Sequence, residues 1–199
     1  MFDKLAEKFA RGKYLEIDLT KMNRVYPFHH LYNGSTTPAG LVRDGKYSIN
    51  QNGELVIIAE GAEDWSWIGL QTNEAFKMPV RIDFTAKTNF DMWLHFYHGS
   101  LALNYNWDCP HRIHVGDIYN DICTVYENIK LPLDDFAGIT WYIDKDMTMI
   151  YCNGEHILTH QWVGNNLPDE ERANIMSPMD ITAGCNSTVI VKSIKVTSS

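Results

Sequence analysis

After Gly12 the apolar residues of this chain stop recurring at helical spacing and begin to alternate with polar ones, and this change of period constrains the fold more than any other feature. Side chains on an extended strand point alternately to its two faces, so alternation describes a ribbon with one buried and one solvated side. The pattern, or the β-branched and aromatic run that accompanies it, marks Tyr14 to Leu19, Glu54 to Ala59, Val80 to Ala86 and Met92 to Tyr97. It marks Leu101 to Trp107, Arg112 to Val115, Ile139 to Ile143, Thr148 to Cys152 and Thr188 to Val196 as well. Asn33-Gly34, Asp44-Gly45, Asn52-Gly53 and Asn153-Gly154 punctuate these runs and tolerate the positive φ that tight hairpins require. Neighbouring strands are therefore expected to be antiparallel, and the lack of helix-strand alternation argues against a parallel sheet with crossover helices. The expected fold class is all-β, a two-sheet antiparallel β-sandwich with a short N-terminal helix over residues 2 to 11, where Phe2, Leu5, Ala6 and Phe9 fall at helical spacing. Pro168 to Asn174 reads as a loop or a single turn.

With 199 residues, 45% hydrophobic and 21% charged, the chain can bury a sizeable core, and one domain over 1–199 is expected. The net charge of −8 provides no extended positive surface, which argues against nucleic acid and membrane surfaces as partners. No run approaches the roughly 20 apolar residues of a bilayer-spanning helix. Met1 to Phe9 lacks the continuous apolar stretch of a secretory signal. The chain as written is thus expected in the cytoplasm, or outside the cell if it is a domain excised from a longer protein. Cys109, Cys123, Cys152 and Cys185 show no Cys-x-x-Cys spacing and are expected as free, mostly buried thiols.

No metal or other cofactor is expected. His95/His98 and His111/His114 are three apart, which on a strand sends their members to opposite faces, whereas His156 and His160 are spaced to share one. His29-His30 has no ligand run beside it, and Asp117, Asp144 and Asp146 are sparser than a calcium loop requires.

Ile139 to Ile143, a polar turn at Asp144 to Asp146, Thr148 to Cys152, Asn153-Gly154 and a third strand through His160 form the most informative stretch. It resembles the late meander of concanavalin A-like lectins, laminin-G-like modules and related glucanases, in which a Trp-bearing strand precedes an Asn-Gly hairpin. Val189 to Val196, after Ala183-Gly184-Cys185-Asn186, is similar to their terminal strand. The resemblance covers residues 138 to 196 and implies a concanavalin A-like jelly roll, a fold that hosts many functions.

Glycosidases need two carboxyl groups flanking one bond. Glu16-Ile17-Asp18-Leu19-Thr20 resembles the opening of the family 16 glucanase signature, but Thr20 and Lys21 stand where its third carboxylate belongs. A jelly-roll polysaccharide lyase needs a base and a positive group; His111-Arg112-Ile113-His114, with Tyr97 and Tyr119 in neighbouring segments, has those residue types without the Arg-Ser-Glu-Leu-Arg run of alginate lyases. No nucleophile elbow, P-loop or dinucleotide fingerprint is present.

Sugar recognition calls for flat aromatic faces over C–H patches and planar polar groups that direct hydroxyls. Trp65-Ser66-Trp67 sets two indoles on one face; Trp93, His95 and Tyr97 share another, opposite Leu94 and Phe96. On the next strand Asn104 and Asn106 point away from Leu101, Leu103 and Tyr105, and amides are disfavoured in mid-strand. The expected ligand-binding set is His95, Tyr97, Asn104, Asn106, Trp107, His114 and Tyr119, for an oligo- or polysaccharide. Three readings stand together: a carbohydrate-binding jelly roll, a carbohydrate-active enzyme (glycoside hydrolase or polysaccharide lyase), and a laminin-G-like protein-interaction module.

Overall fold

The computed structural model describes Phe9 and residues 12–25, 45–60, 67–96, 99–106, 109–117, 122–126, 135–161, 174–184 and 186–198. Over 99–106, 109–117 and 122–126, and at Val25, Trp67 and Asp91, it describes the backbone alone. The strands are β1 (Lys13–Glu16), β2 (Asn23–Val25), β3 (Gly45–Ile49), β4 (Leu55–Ala59), β5 (Trp67–Gln71), β6 (Phe76–Lys77), β7 (Val80–Thr88), β8 (Asp91–Phe96) and β9 (Gly99–Asn106). They continue with β10 (Cys109–Asp117), β11 (Ile122–Tyr126), β12 (Ala137–Ile143), β13 (Met147–Cys152), β14 (Glu155–Gln161), β15 (Met176–Ser177), β16 (Met179–Gly184) and β17 (Thr188–Ser198).

These strands build an eight-stranded sheet in the order β14-β13-β12-β7-β17-β4-β3, with β1 also on β17, and a seven-stranded sheet in the order β11-β10-β9-β8-β16-β5-β2. β6 and β15 form a separate two-stranded ribbon. All the pairings are antiparallel, as the hairpin signals imply. Asn52-Gly53 joins β3 to β4 with Gly53 at φ 77°, and Asn153 (φ 50°) with Gly154 (φ 86°) joins β13 to β14. Two positive φ values in a two-residue loop match the right-handed twist of the flanking strands.

The core lies between the two sheets. From the larger come Val80, Ile82, Phe84 and Ala86 of β7, Ile139 and Trp141 of β12, and Val189, Val191, Ile194 and Val196 of β17. From the smaller come Ile68, Leu70, Met92, Leu94, Phe96, Met179, Ile181 and Ala183. Each fully buried aliphatic or aromatic side chain contributes about 1.5–3 kcal/mol. In β17 the buried residues change from odd to even numbers because a bulge between Val191 and Ser193 inserts Lys192. Trp141 is fully buried, and its Nε1 donates to Thr148 Oγ1 (2.5 Å), whose hydroxyl donates to the Tyr142 carbonyl (2.7 Å).

Three expectations need revision. A helix over residues 2 to 11 is not supported, since Phe9 alone is described there and the others lie outside the described residues; Phe9 packs its ring on Tyr142, with centroids 5.4 Å apart. The first strand ends at Glu16, because Asp18 caps a 3₁₀ turn at Leu19–Lys21. The Asp18 carboxylate accepts from the Thr20 hydroxyl (2.6 Å) and amide (3.1 Å) and pairs with Lys21 (2.9 Å), contacts that hold it down at about 2. His156 and His160 do not share a face: a bulge between the Ile150 and Tyr151 pairings inserts Ile157, so His156 pairs with Tyr151 on the outside while His160 turns inward beside Thr148. Asn33-Gly34, Asp44, Trp65, Ser66 and residues 168–173 lie outside the described residues; Gly45 opens β3. No helix among the described residues is long and apolar enough to cross a membrane.

Candidate functional site

The alternation that sends Met92, Leu94 and Phe96 of β8 into the core leaves Trp93 and His95 on the other face of the seven-stranded sheet. Their rings lie parallel, 3° apart, with centroids at 6.0 Å. β16 does the same beside them: Met179, Ile181 and Ala183 face the core, while Asp180 and Thr182 face outward. The ladders fix who meets whom. Asp180 stands opposite His95 on one side and Gln71 of β5 on the other, and Thr182 stands between Trp93 and Gly69. Directly opposed residues bring their Cβ atoms to about 4.5–5.5 Å, so Trp93, His95, Asp180, Thr182 and Gln71 form one continuous polar and aromatic patch at the centre of the sheet.

This patch is recessed. His95 is 3% exposed, Asp180 5% and Thr182 not at all, although all three lie on the face away from the inter-sheet core. Burial pushes the Asp180 carboxyl up to about 6, against a hydrogen bond from Gln71 that pulls it down. Asp180 Oδ1 and Thr182 Oγ1 are closed to solvent and have no hydrogen-bond partner among the described residues. A buried polar atom without a partner costs about 1–3 kcal/mol, so two on one strand face set this patch apart from the rest of the sheet.

Of the residues expected to bind ligand, His95 sits at the heart of this patch. The backbone of Asn104 pairs with Asp91 on one side and Arg112 on the other, and Asn106 pairs with Cys109. His114 lies opposite Ala102, which in turn lies opposite Trp93. Tyr97, Trp107 and Tyr119 lie outside the described residues. Asp180, Thr182 and Gln71 were not anticipated, yet the signal was present: Met179-Asp180-Ile181-Thr182-Ala183 alternates apolar with polar. Glu16 and Asp18 are not part of the site. β1 pairs with β17 in the other sheet, and Asp18 is engaged as a cap.

Two stacked antiparallel sheets make a β-sandwich, and comparison with solved structures places its fold among the concanavalin A-like jelly rolls. The chain is similar to a sialidase (TM-score 0.58, 7% identity, 78% of this chain and 16% of that one) and to the carbohydrate-binding module CBM66 from Bacillus subtilis (TM-score 0.53, 8% identity, 77% and 96%). It is also similar to a non-specific endo-β-1,3(4)-glucanase of family GH16 (TM-score 0.56, 11% identity, 93% and 91%). The chain spans only 16% of that sialidase. No family model and no curated protein matches the sequence.

Proposed function

We propose that this protein binds carbohydrate on the outer face of its seven-stranded sheet, with Trp93, His95, Asp180, Thr182 and Gln71 as the floor of the site. The carrying observation is the pair of unpartnered buried oxygens, Asp180 Oδ1 and Thr182 Oγ1, beside the parallel Trp93 and His95 rings. A sugar offers what this floor calls for: hydroxyls that donate and accept, and C–H faces that lie against an aromatic plane. The similar solved structures include a carbohydrate-binding module and a glucanase, which supports a glycan as the partner. Asn104, Asn106 and His114, on the neighbouring strands β9 and β10, extend the proposed site.

The test is a glycan array followed by calorimetry on Asp180→Asn, Trp93→Ala and the Asn104→Ala/Asn106→Ala pair. Wild type should retain a glycan that the Trp93 and Asp180 variants bind at least about tenfold more weakly, the loss expected when a ring contact or a charge-assisted hydrogen bond is removed. Equal binding by all forms, or none by wild type, refutes the proposal.

A carboxyl near 6 is also suited to general-acid chemistry, which favours a hydrolase as the second reading. Glycoside hydrolysis needs a second carboxyl group about 5–9.5 Å away. Among the described side chains of this face Asp180 stands alone as a carboxylate. Release of reducing sugar from a polysaccharide panel, lost in Asp180→Asn, would establish hydrolysis; its absence leaves binding as the function.

A further inference from the structure

The outer face of the opposite, eight-stranded sheet carries a second feature. On β7, Arg81, Asp83, Thr85 and Lys87 point outward in sequence. Arg81 and Asp83 are locked together, Nε to Oδ2 at 2.7 Å and a second guanidinium nitrogen to Oδ1 at 2.9 Å, and Lys195 of β17 lies over the Tyr14 ring at 6.0 Å.

Lys87 is held differently. Its ammonium lies 5.2 Å from the centre of the Phe136 ring, and the ammonium of Lys192 lies 4.2 Å from the same ring. Lys192 is the residue that the β17 bulge inserts, which is why it reaches this spot. Neither lysine forms an ion pair among the described residues. The carboxylate next in sequence, Asp135, accepts from the Phe136 amide instead (2.8 Å). A carboxylate partner would cancel the charge it positions. An aromatic ring holds an ammonium by its quadrupole and leaves the charge and the N–H donors available.

Beside this pair the sheet has a low row. Gly138, Thr85 and Ser193 stand opposite one another across β12, β7 and β17. A Cβ on Gly138 would meet only Asn153 Oδ1, at 3.5 Å, so the row is open above the glycine. The hydroxyls of Thr85 and Ser193 are likewise without a partner among the described residues. On its far side the row is bounded by Thr140, Asp83 and Lys195, also in register.

We infer that this trough is a second binding site, for an acidic sugar unit of a polysaccharide: the carboxylate or sulfate is taken by Lys87 and Lys192, and the sugar hydroxyls lie along Thr85 and Ser193. The net charge of −8 disfavours a dense polyanion such as nucleic acid, whereas a single acidic sugar unit needs only these two local cations. The site is on the opposite sheet from the Asp180 cluster and stands or falls independently of it.

The experiment is calorimetry at low salt with tetrasaccharides of galacturonate and of alginate, a neutral tetrasaccharide, and a short DNA duplex. Wild type should bind at least one acidic tetrasaccharide, and Lys87→Gln with Lys192→Gln should weaken that binding about tenfold or more, as loss of charge-assisted contacts predicts. Asp180→Asn should leave it unchanged, which separates this site from the one proposed above. No acidic tetrasaccharide bound, equal affinity in the double variant, or DNA bound as tightly as the sugar through the same lysines would each overturn the inference.

Discussion

Replacing Asp180 with asparagine should abolish a pH dependence of stability built into the seven-stranded sheet. Burial raises the Asp180 carboxyl from its ordinary 3.8 to about 6 in the folded protein. Because the folded state holds the proton more tightly than the unfolded chain, its contribution is fully present below pH 3.8 and is lost as pH rises through about 6. A separation of roughly two pK units at 1.36 kcal/mol each amounts to about 3 kcal/mol, a sizeable part of the 5–15 kcal/mol total of a typical domain. Asp180→Asn keeps the shape and a hydrogen-bonding group for Gln71 but cannot ionise. Urea unfolding of both forms between pH 4 and 8 should show the stability gap shifting in favour of the variant by up to about 3 kcal/mol as pH rises. Parallel stability curves would refute the reasoning, since they would mean that Asp180 releases its proton equally easily in the folded and unfolded states.

Thr148→Val should lower stability by about 2–4 kcal/mol, because it leaves both the Trp141 indole N–H and the Tyr142 carbonyl buried without their partner; a melting temperature within a degree of wild type would contradict this. Thr182→Val should do the reverse, holding or raising stability by up to about 1 kcal/mol while weakening glycan binding, since its buried hydroxyl has no partner to lose among the described residues. Combined thermal melts and calorimetry would show that split, and a strong destabilisation would sink it. Cys152 is a buried free thiol whose ionisation burial pushes upward, so alkylation at pH 8 should be slow in the folded protein and rapid in urea; equal rates measured by mass spectrometry would contradict it.

Much of the fold was legible because a two-residue period reports which face of a strand is buried, and Val80 to Thr88 or Met92 to Phe96 carry it without interruption. The Asn-Gly turns were legible for a similar local reason, their tolerance of positive φ. Bulges were not. Nothing in Glu155 to Gln161 announces that Ile157 breaks the count, and His160 consequently faces inward, where burial depresses its pKa. The Glu16-x-Asp18 pattern invited a catalytic reading that the following Thr20 and Lys21 undo, since together they make Asp18 a cap. At the site, the shared face of Trp93 and His95 follows from spacing alone. The isolation of Asp180 and Thr182 does not, because it depends on β16 lodging between β8 and β5 from far along the chain.

That lodging has a kinetic consequence. β16 fills the gap between β8 and β5 in one sheet, and β17 fills the gap between β7 and β4 in the other. Until residues 179–198 insert, β8 and β5 share no ladder in one layer, β7 and β4 share none in the other, and β1 lacks the strand it pairs with. Contacts between segments so distant in sequence slow folding, and both layers become continuous only once this C-terminal pair of strands is in place. Asp180 and Thr182 arrive with that pair, so the recess beside Trp93 would be absent from any intermediate that lacks it, and a ligand retained there would report completed assembly.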